Sequence, residues 1–245
     1  MTLHKDFGLT ELGETAAGAA KQIHGLLAQD SRFTTDQCEK LSAFAGMVLQ
    51  KNEVMNLTAI TDPDEFYAKH IVDSLTLLPL IDEVLAVNPA PKLLDLGSGA
   101  GFPGIPLKIM RPQLQIVLLD SLQKRVRFLT DVITALELEN ISAVHARAEE
   151  AGRQKTMRES FDLVTARAVA GLPTLLELCL PFVVLNGHFW AMKSNLDEAA
   201  GADKALRILG DCLAARRQFT LPLDQGERVI LDFLKSKPTP ATYPR

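Results

Sequence analysis

Across 245 residues the chain has only three cysteines, one tryptophan and two tyrosines. Cys38, Cys179 and Cys212 are odd in number, far apart and in no paired motif, so neither a disulfide framework nor a thiolate zinc site is supported. They read as small, buried apolar residues. No apolar run approaches the roughly 20 residues of a membrane span, and the opening stretch, with His4, Lys5, Asp6 and Glu11, lacks a signal peptide's apolar core. The expectation is a cytoplasmic protein with neither a membrane partner nor a metal. Positive charge is not in excess either, since the formal net charge is −4. It is uneven, however: residues 1–88 hold 6 Lys/Arg against 13 Asp/Glu, and residues 89–245 hold 20 against 17. Charge alone therefore points only to a local basic face.

What is present is an ordinary globular composition, 47% hydrophobic, with no internal repeat and enough length for a sizeable core. Residues 1–88 read as a helical region. Ile23, Leu26 and Leu27 mark one helix, and Leu41, Phe44, Ala45, Val48 and Leu49 mark a second that Thr34, Thr35 or Asp36 can cap. A third is expected from about Asp62 to Leu80, with Pro63 in its first turn and Phe66, His70, Asp73 and Leu77 along one stripe. Asn88-Pro89-Ala90-Pro91 marks a boundary. Residues 89–245 then alternate strand and helix, the pattern of an α/β fold with a Rossmann-like doubly wound sheet. Strands are expected near 92–96, 115–119, 142–146, 161–166 and 186–192, and Ala215–Leu221 and Arg228–Phe233 suit an antiparallel edge. The tail from Lys235, with Pro238, Pro240 and Pro244, is expected to be loose.

The densest signal is Leu93-Leu94-Asp95-Leu96-Gly97-Ser98-Gly99-Ala100-Gly101-Phe102-Pro103-Gly104. A buried strand runs into glycines that permit close ligand approach, and Pro103 suits a helix start whose N–H groups face the loop. Gly99, Gly101 and Gly104 also satisfy G-x-G-x-x-G, and Asp120 stands where an acid would hold ribose hydroxyls, so a dinucleotide must be weighed. Asp120 suits either ligand. Asp95 separates them, because a carboxylate at the mouth of the loop opposes a pyrophosphate and welcomes a cation. S-adenosylmethionine carries an ammonium and a sulfonium and no phosphate, and it is the expected cofactor, which makes the fold a class I methyltransferase.

Two later strand ends reach the same edge of the sheet. Ala148 and Glu149 follow the third strand and could meet the adenine, and Arg167 ends the fourth. Thr165-Ala166-Arg167-Ala168 is neither the Asp/Asn-Pro-Pro-aromatic turn of amino-directed adenine methyltransferases nor the Pro-Cys turn of pyrimidine C5 enzymes. Cys179 sits in an apolar helical stretch, which disfavours a nucleophilic role.

Taken together, several motifs resemble those of the bacterial small-subunit ribosomal RNA guanine-N7 methyltransferases, once called glucose-inhibited division protein B. They are Asn56-Leu57-Thr58, Lys69 to Leu75, the glycine run through Leu107, Leu119 to Arg125, Arg147-Ala148-Glu149 and Thr165 to Ala168. The resemblance implies methylation of N7 of guanosine 527 in 16S rRNA, within the small ribosomal subunit, and a link between loss of the enzyme and low-level streptomycin resistance. By motif position it implies cofactor contacts at Gly97, Phe102, Asp120, Ala148, Glu149 and Arg167, beside Asp95 and Gly99 from the loop itself.

Guanine N7 has an unprotonated lone pair at neutral pH, so in-line attack on a sulfonium methyl needs no general base. Asp73, His70 and Asn56 are the candidates for catalytic or positioning roles, and Asn56 alternatively fixes a turn. RNA contacts are expected from Lys124, Arg125, Arg127, Arg147 and Lys193, and from Arg153, Lys155 and Arg158. Two other readings stay open: a methyltransferase acting on a protein or small molecule, and a noncatalytic RNA-binding module. The sequence leaves the oligomeric state open and is compatible with a monomer.

Overall fold

The computed structural model describes residues 12–194, 202–209 and 212–245. The first residues named above and the Cys212 side chain lie outside the described part, whereas Cys38 and Cys179 are buried thiols. Two long helices open the described chain: α1 (Glu14–Ala28) and α2 (Thr35–Met55). Thr34 caps α2 reciprocally with Gln37, its hydroxyl accepting from the Gln37 N–H while the Gln37 side chain accepts from the Thr34 N–H. Of the expected apolar positions, Ile23 and Leu27 on α1 and Leu41, Phe44, Ala45, Val48 and Leu49 on α2 are buried, and Leu26 is half-buried.

The third helix is not continuous, contrary to expectation. It starts as read, with the Asp62 carboxylate accepting from the Asp64 and Glu65 N–H groups and Pro63 opening α3 (Pro63–Phe66). It then widens into a π-helical segment, Tyr67–Val72, followed by a short α4 (Asp73–Leu75), a break, and α5 (Leu78–Leu85). The Ser74 and Thr76 hydroxyls donate to the His70 and Asp73 carbonyls, and Pro79 has no N–H to offer the preceding turn.

Beyond the Pro-rich boundary come β1 (Lys92–Leu96), α6 (Gly104–Met110), β2 (Gln115–Asp120), α7 (Gln123–Ala135), β3 (Ile141–His145), α8 (Ala148–Ala151) and β4 (Phe161–Arg167). They are followed by α9 (Leu172–Cys179), β5 (Val183–Lys193), α10 (Asp203–Leu209), β6 (Cys212–Thr220) and β7 (Glu227–Leu234). The seven strands form one sheet in the order β3-β2-β1-β4-β5-β7-β6. The pairs among β1 to β5 are parallel, and β7 runs antiparallel to both β5 and β6, so the doubly wound sheet with an antiparallel edge is as expected.

Period-two alternation divides the core. Leu93, Leu118, Leu163, Trp190, Met192 and Ile230 face α2, α6 and the π segment, in a cluster that also holds Phe44, Phe66 and Ile71. Leu94, Leu119, Val164, Phe189 and Leu231 face the other way, toward α9. The same parity places Asp95, Arg167 and Arg228 on the side covered by the N-terminal helices. That placement builds the site.

The tail is anchored rather than loose. Lys235 is fully buried, and its Nζ donates to Glu159 Oε1 and to the Leu180 and Val183 carbonyls, each at 2.8 Å. Arg158 donates to the Thr239 and Tyr243 carbonyls, Arg153 to that of Pro244, and Arg245 pairs with Glu177. Proline-rich chain has few N–H groups of its own but many carbonyls, and arginines from the loop after α8 use them.

Candidate active site

In a doubly wound sheet, ligands gather beyond the carboxyl ends of the strands where the strand order reverses. Here that point lies between β1 and β4, with β2 next to β1. The loop after β1 turns through three positive φ values, 73° at Gly97, 58° at Gly99 and 103° at Gly101, a region costly for residues with a Cβ. Gly104 is required for a different reason: a Cβ there would strike Leu118 and come within 2.8 Å of Asp95 Oδ2. The helix begins there, with Pro103 just outside it rather than in its first turn.

Asp95 is not at the mouth of the loop, as the sequence suggested, but fully buried beneath it. Its Oδ2 accepts from the Gly104 N–H at 2.9 Å, serving the start of α6, and its buried Oδ1 has no hydrogen-bond partner among the described residues. Burial pushes its carboxyl up to about 7, against the pull of the Gly104 N–H and Arg167. Asp120 is also buried. Its Oδ2 accepts from the Gly99 N–H at 3.0 Å and its Oδ1 from the Leu122 N–H at 2.8 Å, and Arg125 lies 3.5 Å away. A carboxylate has about four lone-pair sites, so capacity remains for a diol. The Ala146 N–H donates to the Asp120 carbonyl, which brings the end of β3 beside β2; Ala148 and half-buried Glu149 then open α8.

Phe102, buried in the glycine loop, joins the loop to the helical region. Its ring stacks on His70 at 4.7 Å and 15°, packs on Phe44 at 5.0 Å, and carries the Arg167 guanidinium at 5.3 Å from its centroid. Arg167 Nη1 donates to the Lys69 carbonyl and to Asp73 Oδ2, each at 3.0 Å, and Nη2 lies 3.2 Å from His70 Nδ1. A guanidinium only donates, so Nδ1 accepts and the proton of the neutral ring is on Nε2, 2.7 Å from Thr58 Oγ1. Burial first, and Arg167 second, lower His70 to about 3. Asp73 is buried between two arginines, with Arg228 Nε 3.4 Å from its Oδ1.

The structure therefore gathers Asp95, Gly97, Gly99, Phe102, Asp120, His70, Asp73 and Arg167 around one strand edge. Asn56 is set apart: it is exposed and ends α2 in the left-handed conformation, the turn role offered for it above. Thr58, Arg228 and the π segment are the contributions that sequence reasoning missed; Thr58 lay in a quoted motif, and Arg228 carried no signal. Burial raises the Cys179 thiol well above its ordinary range, against a nucleophilic role. Among the basic residues, Lys124, Arg127 and Arg147 are exposed, and Lys193 is buried with Nζ on the Ala170 carbonyl. Arg153 and Arg158, also expected to meet RNA, hold carbonyls of the tail.

A family model described as rRNA small subunit methyltransferase G matches residues 37–220. The ribosomal RNA small subunit methyltransferase G of Acetivibrio thermocellus is 47% identical over 212 residues, covering 86% of this chain and 85% of that one. Its counterpart in Geobacillus kaustophilus is 50% identical over 201 residues, covering 81% and 83%. The chain belongs to the rRNA small subunit methyltransferase G family.

Membership of this family and the sheet order make the fold that of a class I S-adenosylmethionine-dependent methyltransferase. The solved cyclase SpnF shares the architecture with a TM-score of 0.50 and 15% identity, covering 67% of this chain and 80% of that one. A cyclase on the same frame shows that fold does not fix the reaction. Family membership implies S-adenosylmethionine use. Among the described residues no helix is long and apolar enough to cross a membrane, and no group of three His, Cys, Asp or Glu side chains could hold a metal.

Proposed function

We propose that the protein methylates N7 of guanosine 527 in 16S rRNA of the small ribosomal subunit, taking the methyl group from S-adenosylmethionine. The observation that carries the N7 reading is the state of the basic groups beside Phe102. His70 is neutral at physiological pH with Nδ1 held by Arg167, and Asp73 faces a guanidinium on each side. Neither is placed to remove a proton, and an N7 nucleophile has none to lose.

The residues fit the methyl donor. The orphaned Asp95 Oδ1 is a buried acceptor suited to a cation, and the space where a Gly99 Cβ would stand is open, its nearest neighbour being the Gly97 carbonyl oxygen at 3.9 Å. Asp120 is placed for the ribose, and Ala148 and Glu149 for the adenine. Gly97, Phe102 and Arg167 bound the methionine end. When bound, S-adenosylmethionine supplies a methyl group on a positively charged sulfur. The Phe102–His70 stack, fixed by Arg167 and Thr58, forms a rigid apolar wall that excludes water and restricts the approach of the guanine. Orientation of this kind can supply about 7 kcal/mol or more.

Mass mapping of this rRNA loop from a deletion strain tests the assignment. The N7 methyl group should vanish and return with the gene; its persistence in the deletion strain would rule the reading out.

A further inference from the structure

The helix that carries Ala148 and Glu149 has little of its own to hold it. α8 is a single turn, Ala148–Ala151, and one turn of helix does not persist alone in water. The crossover between parallel strands ordinarily lays a full helix over one face of the sheet. Here the chain after α8 continues as turns to β4, and it borders a cavity of about 510 Å³ over β2 and β3, lined in part by Val117, Ser142, Val144, Thr156 and Met157. Packing from the sheet alone therefore does not fix α8.

Support comes from the far end of the chain. Pro244 is buried against Gly152, where a Cβ would come within 3.1 Å of its ring, and Tyr243 packs on the apolar cluster that holds Ala148, Ala151 and Leu176. Arg158 Nη1 donates to the Gly152 carbonyl at 3.0 Å, at the end of α8, and to the Tyr243 carbonyl at 2.8 Å. One nitrogen thus ties the helix to the tail. Arg153 adds two bonds to the Pro244 carbonyl, at 3.0 and 2.8 Å, and Arg245 donates to Glu177 on α9. Lys235 already fixes the root of the tail, so the contacts of Tyr243 and Pro244 serve α8 and the turns behind it.

We propose that Tyr243 and Pro244 are positioning residues for the methyl donor: the tail holds α8 where Ala148 and Glu149 meet the adenine. The proposal rests on the donor site read above and adds a support that none of its motifs contains. Phe102 and Arg167 lie on the side of the sheet covered by the N-terminal helices, away from Tyr243. Release of the tail therefore weakens the hold on the adenine and spares the reacting end.

A chain ending at Pro240 and the full chain with Tyr243→Ala test it, the second keeping the test open if the first melts early. Each is compared with the parent by calorimetric titration of S-adenosylhomocysteine and S-inosylhomocysteine, at a temperature where urea denaturation shows all three folded. Hypoxanthine reverses the donor and acceptor of the adenine edge, so the parent should prefer the adenine compound. If the shortened chain holds α8 in place about a tenth of the time, it should bind S-adenosylhomocysteine about tenfold more weakly, and Tyr243→Ala about threefold. In both, the preference over S-inosylhomocysteine should shrink by a similar factor. At saturating donor, kcat on small subunits from the deletion strain should stay within about twofold, because the reacting end is untouched. Lower stability with unchanged affinity and preference would overturn the proposal, since the tail would then only brace the fold. Equal weakening of both ligands would overturn it too, by moving the effect off the adenine edge. If the parent binds neither ligand, the donor-site reading itself has failed and this proposal falls with it. A parent that binds, with variants indistinguishable from it, removes the role of the tail alone.

Discussion

His70 Nδ1 and Arg167 Nη2 lie 3.2 Å apart, although 97 residues separate them in sequence. The contact decides the tautomer of the histidine, its charge, and which of its faces meets Phe102. With the folded value lowered to about 3 from 6.5, the folded protein binds fewer protons than the unfolded chain between these pH values. The His70 contribution to stability is thus complete above pH 6.5 and is lost as pH falls through that window. Histidine ¹⁵N spectra should show His70 as the Nε2–H tautomer with no titration between pH 5 and 8; a midpoint near the ordinary value would refute the contact.

Asp95 has the opposite sign. Its folded value is raised from 3.8 to about 7, so its contribution favours the folded state at low pH and is lost as pH rises from about 4 to about 7. A cationic ligand at Oδ1 would draw that value down again. Calorimetric titration of S-adenosylhomocysteine at pH 6.5 in buffers of different ionisation enthalpy should therefore reveal proton release, which Asp95→Asn should abolish. Proton release that persists in the Asn variant would place the linked group elsewhere.

Gly99 and Gly104 should fail differently. Gly99→Ala meets open space but a strained φ, so stability should fall by only about 1 kcal/mol. Its affinity for S-adenosylhomocysteine should drop at least about tenfold. Gly104→Ala drives a methyl group against Leu118 and Asp95 and should cost about 1–3 kcal/mol of stability before any ligand is added. Urea denaturation with and without ligand separates the two, and equal stability losses would count against this assignment.

Lys235 and Arg158 anchor the tail. Replacing Lys235 with Ala leaves the Leu180 and Val183 carbonyls and the Glu159 carboxylate without their donor, and should cost about 3 kcal/mol or more. Arg158→Ala should destabilise by about 1–3 kcal/mol without changing KM for small subunits. A rise in KM at full stability would restore Arg158 to the RNA-binding set.

Much of the frame was legible in the chain because it is written in local chemistry. The strand alternation, the Thr34 cap, the glycines of the β1 loop and the acid closing β2 each depend on neighbours a few residues away, and the motifs from Asn56 to Arg167 carried the family. Local reading failed where partners are distant. Asp95 was read at the mouth of the loop from its place before the glycines, but the parity of β1 turns it beneath α6, where Gly104 claims one oxygen and Oδ1 is left buried. The third helix was read as unbroken because apolar spacing says nothing of hydroxyls bonding back to their own carbonyls. Arg153 and Arg158 read as RNA contacts, and the distant tail carbonyls that they hold left no local signal.

The sequence by itself determined an α/β sheet, a glycine loop fitted to a nucleoside-bearing ligand, and the elements that carry Lys69, His70, Asp73 and Arg167. Only the tertiary structure decided that these four meet, that Arg228 joins them, and that one carboxylate serves two arginines. The reason is physical: strand order and register set which side chains share a face across the sheet, and they are fixed by packing over the whole core, not by any pattern within one strand.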